Sequence, residues 1–267
     1  MILLSLYDWI YSKYPSDLAY NGQWKPLHII ILLLAISSIV GISFLRNKDK
    51  RIKNWLIVGI GIALVVLEFS RRIINFSNPY FEFSSVIHDL LPRPWCAISV
   101  WSLLLCTIID KKFFYNFAAM SGIINCIIYF AYPVAGFENK AILFESVYSI
   151  GTHTLLIIGC VSLITLGFTD FRYKRETLKK GALKELIAIV ILYTYALIEI
   201  YILKIEADPL FFMPGNDVED ILGIPHTLYL VIYFAFLTLY FNSFYLIPML
   251  KNYIKNKKQN KTPLKVS

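Results

Sequence analysis

Long apolar runs recur along the chain, separated by short polar or basic links. Seven of them fall near Pro26–Leu45, Asn54–Ile74, Trp95–Ile109, Phe113–Pro133, Val147–Phe168, Lys184–Leu203 and His226–Ile247. A bilayer core about 30 Å thick needs about 20 apolar residues as a helix. Each run is continuously apolar rather than alternating, which points to helices rather than strands. Inside lipid every backbone group must also be bonded within its own segment or to a neighbour, which favours helices further. The pattern predicts an all-α, polytopic membrane helix bundle with seven transmembrane helices. The third run is the shortest and the weakest as a full crossing.

The links alternate in charge. Arg46, Lys48, Lys50, Arg51 and Lys53 fill the first, Lys111 and Lys112 the third, and Arg172, Lys174, Arg175, Lys179, Lys180 and Lys184 the fifth. The tail adds Lys251, Lys255, Lys257, Lys258, Lys261 and Lys265, so 19 of the 26 Lys and Arg residues fall on one side. The positive-inside rule assigns that side to the cytoplasm. The N-terminus is then outside, the C-terminus cytoplasmic, and the chain a multi-pass protein of the cell membrane. Residues 1–25 form an extracytoplasmic segment, 26–247 the transmembrane domain, and 248–267 a basic cytoplasmic tail.

Composition agrees with this. Hydrophobic residues make up 57% and charged residues only 16%, against roughly 25% charged in soluble domains. The net charge of +8 sits in links and tail rather than in a basic stripe, so membrane lipids, not nucleic acid, are the expected partners. The first residues, MILLSLYDWIYSKYPSD, are interrupted by Asp8 and Lys13 and do not make a signal peptide. The four cysteines form no CxxC pair, which indicates neither a metal site nor a disulfide framework. No cofactor motif and no internal repeat is present. Oligomeric state is not encoded in any visible pattern.

Given this topology, polar residues gather at one depth. His28, Glu68, Arg71, Arg72, Arg93, Cys96, Asn125, His153, Glu199 and His226 all fall toward the outer ends of their helices. Ionisable groups in lipid cost roughly 2.5 kcal/mol or more at a helix centre, so they usually face a bundle interior or a wet cavity. Two readings stand: a single polar cavity open toward the outer leaflet, or independently hydrated interfacial residues. Glu68 has the i, i+3 and i, i+4 spacing to Arg71 and Arg72 that suits an ion pair within the helix. The pair would make Glu68 tolerable in the span, or the arginines would bind an anionic head group.

Several stretches carry a resemblance. KPLHIIILLL around His28, NWLIVGIGIALVVLEFS ending near Glu68, LLPRPWCAIS with Cys96, FAAMSGIINCIIYFAYP with Gly122 and Pro133, and FESVYSIGTHTLLIIG with His153 follow one another in order. Together they resemble the YwaF-like family of bacterial multi-pass membrane proteins, itself related to a vertebrate transmembrane cysteine acyltransferase acting on phospholipids. The resemblance covers about residues 24–247. It departs from the family at Pro94, where His is usual, at Ala97, where an acidic residue is usual, and in LYTYALIEI, which offers Tyr193, Thr194 and Glu199 in place of Asn.

The resemblance implies Cys96 as an acyl-accepting nucleophile and His153 as its base, acting on a phospholipid or acyl substrate as acyltransferase or acyl hydrolase. The chemistry is coherent, because a thiol near pKa 8.5 needs a base or a cation to become a useful thiolate. Arg93, three positions before Cys96, would lower the thiol pKa or hold a lipid phosphate. His28, Glu68, Arg71, Arg72, Arg93, Asn125, Glu199 and His226 complete the substrate-binding set. Cys106, Cys126 and Cys160 read as packing residues. The rival is a non-catalytic binding or transport protein that uses the same polar groups without covalent chemistry.

Overall fold

The computed structural model describes residues 9–10, 24–77, 95–131, 143–171, scattered positions from 187 to 214, and 217–259. Among these residues there are helices and no strands. The chain divides into two compact units, Met1–Thr169 and Asp170–Ser267.

The first unit holds five α-helices. They are α1 (Pro26–Ser43), α2 (Lys50–Ser77), α3 (Trp95–Ile108), α4 (Lys112–Ala131) and α5 (Phe144–Thr165). Proline opens α1 at its first turn, where a missing N–H costs nothing. A short 3₁₀ turn, Phe44–Asn47, closes it. Side-chain contacts fix the relative directions. Gly61 of α2 faces Thr107 of α3. Cys160 of α5 reaches the Ala118 carbonyl of α4, and Cys126 of α4 reaches that of His153. The ring of His28 at the start of α1 lies over Phe130 at the end of α4. Consecutive helices therefore run in opposite directions, as the alternating links require.

The helix α5 packs on all four others, and α3 packs on α2, α4 and α5. Ala97, Ser99, Val100, Leu103 and Cys106 are all buried on α3. Small residues let its neighbours approach closely. A Cβ added at Gly159 of α5 would lie 2.7 Å from Leu103. Its 14 residues span only about 21 Å, less than a bilayer core. The expected third span is thus a short buried helix within the described residues. The helix α2 shows the lipid logic plainly. Ile57, Ile60, Gly61, Leu64, Glu68 and Arg72 are buried on one face, while Ile62, Val66, Phe69, Ile73 and Phe76 are exposed on the other. Exposed apolar residues at helical spacing are what a lipid-facing stripe requires.

The basic links meet at one end of this unit. Lys50 pairs with Asp110 at 3.2 Å. Lys53 donates to the carbonyls of Arg46 and Leu166, at 3.3 and 3.4 Å, and Lys112 to that of Phe168 at 2.6 Å. Two ammonium groups thus sit on carbonyls just past the C-terminus of α5, where the helix dipole favours cations. That end is closed by Gly167, whose φ of 81° is open to glycine at no steric cost. Phe168 N–H bonds back to Leu163 and Gly167 N–H to Ile164, the paired bonds of a Schellman motif. Phe168 then packs on Tyr115.

In the second unit, α6 (Asp217–Leu222) leads into α7 (His226–Gln259). The predicted seventh span was to stop at Ile247, but the helix continues for 12 more residues, through Pro248 and into the lysine-rich tail. Lys, Asn and Gln lower hydropathy without ending a helix, since Lys and Gln are good helix formers. Only scattered positions of the predicted sixth span, Lys184–Leu203, are described. Its described backbone includes a π-helical turn, Ile198–Ile202. Five helical stretches among the described residues are long and apolar enough to cross a membrane: Pro26–Asn47, Lys50–Ser77, Lys112–Ala131, Phe144–Thr165 and His226–Lys251.

Candidate functional site

At the end of the first unit opposite the lysine contacts, buried polar side chains from α2 to α5 interlock. Glu68 of α2 is only 2% exposed and Arg72 only 7%. They form an i, i+4 ion pair, and Arg72 also donates to the Glu68 carbonyl at 3.2 Å. Tyr148 of α5 donates its hydroxyl to the other Glu68 oxygen at 2.5 Å. The guanidinium of Arg71 lies 5.2 Å above the Tyr148 ring, and that of Arg72 lies 5.9 Å from Trp101 of α3. The i+4 partner, Arg72, takes the carboxylate, while Arg71 turns to the aromatic face. A buried carboxylate needs such company, because an unpaired charge in the interior is costly.

Beside this network stands His153 on α5. Its Nδ1 is 2.7 Å from the Ser149 carbonyl. A carbonyl only accepts, so Nδ1 carries the proton, and in the neutral ring Nε2 then has the lone pair. The ring is parallel to that of Tyr129 on α4, with centroids 3.6 Å apart and planes 2° from coplanar. The Ser149 hydroxyl donates to the Tyr129 hydroxyl at 3.1 Å, and Cys126 donates to the His153 carbonyl at 3.3 Å. His153 is therefore held by its own helix on one side and by α4 on the other.

Asn125 of α4 donates to the Ser99 hydroxyl of α3 at 2.5 Å. This bond ties α4 to the first turn of α3, the turn that contains Cys96. Cys96 lies three positions before Ser99, the spacing of neighbours on one helix face. The Cys96 side chain lies outside the described residues, as does all of Arg93.

The remaining candidates separate. His28, read from the sequence as lying near the outer end of its helix, is fully buried; it accepts from the Trp24 N–H at 3.0 Å, and its ring stacks on Phe130. Phe130 in turn meets the Tyr129 ring edge-on at 5.3 Å. His226 belongs to the second unit, where it meets Glu219 at 2.8 Å. Glu199 lies in the π-helical turn of that unit, with its side chain outside the described residues. Cys106, Cys126 and Cys160 are buried and unbridged. Each donates to a backbone carbonyl, as packing residues can. Cys126, read from the sequence as a packing residue, touches the backbone of His153.

Tyr148, Ser149, Tyr129, Ser99 and Trp101 complete the cluster and are absent from the sequence-based set. One signal was available for Ser149, which precedes His153 by one helical turn. Nothing marked Tyr148 or Tyr129 among 18 tyrosines. The TMEM164 family model matches residues 22–245, nearly the whole helical region. No curated protein and no solved structure matches the chain.

Proposed function

The chain belongs to the TMEM164 family, a family of transmembrane proteins, and from that premise we propose that it transfers acyl groups between membrane lipids through a thioester on Cys96. The observation that carries this reading is the state of His153. Its Nδ1–H is committed to Ser149, which leaves Nε2 as the base. The resemblance to YwaF-like proteins and their acyltransferase relative supplies the cysteine. The Asn125–Ser99 bond supports it by anchoring the first turn of α3 to the helix that clamps His153.

In this mechanism the Cys96 proton passes to His153 Nε2 and the thiolate attacks the ester carbonyl of a phospholipid. The tetrahedral intermediate expels the lipid hydroxyl, which takes the proton back from the imidazolium. A second lipid hydroxyl, or water, gives its proton to the same nitrogen, attacks the thioester and releases the thiol. On the seven-crossing reading of the sequence, with the basic links in the cytoplasm, this chemistry lies at the outer leaflet of the membrane. The Glu68–Arg72–Tyr148 network fixes α2 against α5, and Arg71 beside it supplies positive charge for a lipid phosphate.

Cys96→Ala tests this directly. Purified protein in phospholipid vesicles is expected to lose acyl transfer and labelling by an acyl-fluorophosphonate or thioester probe, with unchanged gel-filtration behaviour. Undiminished transfer would remove Cys96 from the chemistry, and absence of transfer by the wild type would favour the non-covalent binding or transport role instead. Lipid analysis of a deletion strain would then identify the acyl donor and acceptor.

A further inference from the structure

We infer that Tyr129 is a positioning residue that selects the ring plane and the tautomer of His153. This inference rests on the catalytic reading for its purpose but not for its test. Three observations meet at one place. The two rings are parallel at a centroid distance of 3.6 Å. The Tyr129 hydroxyl is pinned by Ser149 at 3.1 Å. The same Ser149 supplies the carbonyl that accepts from His153 Nδ1 at 2.7 Å. Ser149 thus holds both rings, one through its hydroxyl and one through its backbone.

The consequence is geometric. A histidine one helical turn beyond a carbonyl can bond to it only in a narrow range of χ2, because that torsion is otherwise broad. The flat face of Tyr129 blocks rotation out of that range. It comes from a different helix, so the constraint survives motion of α5 side chains alone. With Nδ1–H committed, Nε2 is basic and its direction is set. Once Nε2 accepts a proton, the ring becomes a cation lying on an aromatic face, an arrangement worth about 0.5–2 kcal/mol. Tyr129 therefore favours both the neutral form with Nδ1 protonated and the imidazolium that follows it, over the neutral form with Nε2 protonated. Nothing in the thioester chemistry requires the Tyr129 hydroxyl to touch the lipid.

The test is ¹⁵N NMR of full-length protein in lipid nanodiscs, labelled in the histidine rings. There are four histidines, His28, His88, His153 and His226, and a His153→Gln sample assigns the signals. The wild type is expected to show His153 neutral with the proton on Nδ1. Tyr129→Phe, which keeps the stack, should give the same spectrum. Tyr129→Leu should give a mixture of tautomers, with Cys96 probe labelling about tenfold slower, a modest part of what a general base contributes. A wild-type His153 protonated on Nε2 overturns the inference even if Tyr129→Leu does not fold. So does a Tyr129→Leu spectrum identical to wild type. If Cys96 takes no probe in any sample, the catalytic reading falls, while the tautomer spectra still decide the role of Tyr129.

Discussion

Tyr148 donates its hydroxyl from one helix to Glu68 on another, 80 residues earlier in the sequence. That bond and the Arg72 ion pair leave the only carboxylate buried among the described membrane helices fully engaged from two elements. The polar end of the first unit is therefore a tied structure, in which α2 and α5 are fastened through one side chain and α3 and α4 through Asn125 and Ser99.

Tyr148→Phe is expected to destabilise the protein by about 1–3 kcal/mol, because a buried charged acceptor loses one of its donors. Thermal unfolding in detergent, followed by circular dichroism, measures it. No loss would mean that Arg72 alone satisfies Glu68.

Removing either member of the buried pair should cost more. Glu68→Gln or Arg72→Met is expected to lower stability by about 3–5 kcal/mol, since each leaves an uncompensated partner. The double variant should recover much of that loss. A double-mutant cycle on unfolding midpoints gives the coupling, and simple additivity would contradict the pairing.

Gly122 is required by the closeness of α4 and α5. A Cβ there would sit 2.2 Å from Cys160 Sγ, so Gly122→Ala must push the helices apart. The expected cost is about 1–3 kcal/mol. Adding Cys160→Ala removes the sulfur and should restore part of it. A Gly122→Ala protein as stable as wild type would show a looser packing than described.

At the basic end the charges matter little to stability. The Lys50–Asp110 pair is more than half exposed on both sides, and exposed pairs are worth about 0–1 kcal/mol. The bond from Lys50, and then that from Tyr115, hold the Asp110 carboxyl below the usual carboxylate range. A carboxyl lowered in the folded state contributes above its unfolded pKa and loses that contribution as pH falls through the folded value. The stability difference between wild type and Asp110→Asn should thus be flat near neutrality and vanish only below about pH 4. A difference that grew on acidification would reverse the sign.

Much of this was legible in the sequence because lipid imposes a strong rule on composition. Apolar runs and alternating lysines gave the helices of the first unit to within a few residues, apart from α2, which begins four residues earlier than its apolar run. The Glu68–Arg72 pair was legible because i, i+4 spacing is geometric. Other features were not. The length of α7 was hidden because helix propensity continues where hydropathy stops. The burial of His28 depends on Phe130, far along the chain. Tyr129 and Tyr148 look like any interfacial tyrosine until antiparallel packing brings each beside its partner. The cluster is made by helix pairing, and pairing leaves no local mark.

The central claim is that Cys96 carries an acyl group on the way between lipids. Incubating the protein in vesicles of a diacyl phospholipid, then quenching in acid and measuring intact and peptide masses, tests it most directly. The account predicts one fatty-acyl adduct, located on Cys96, cleaved by neutral hydroxylamine, and lost in His153→Gln. Lipid acyl transfer proceeding at the wild-type rate in Cys96→Ala would contradict it.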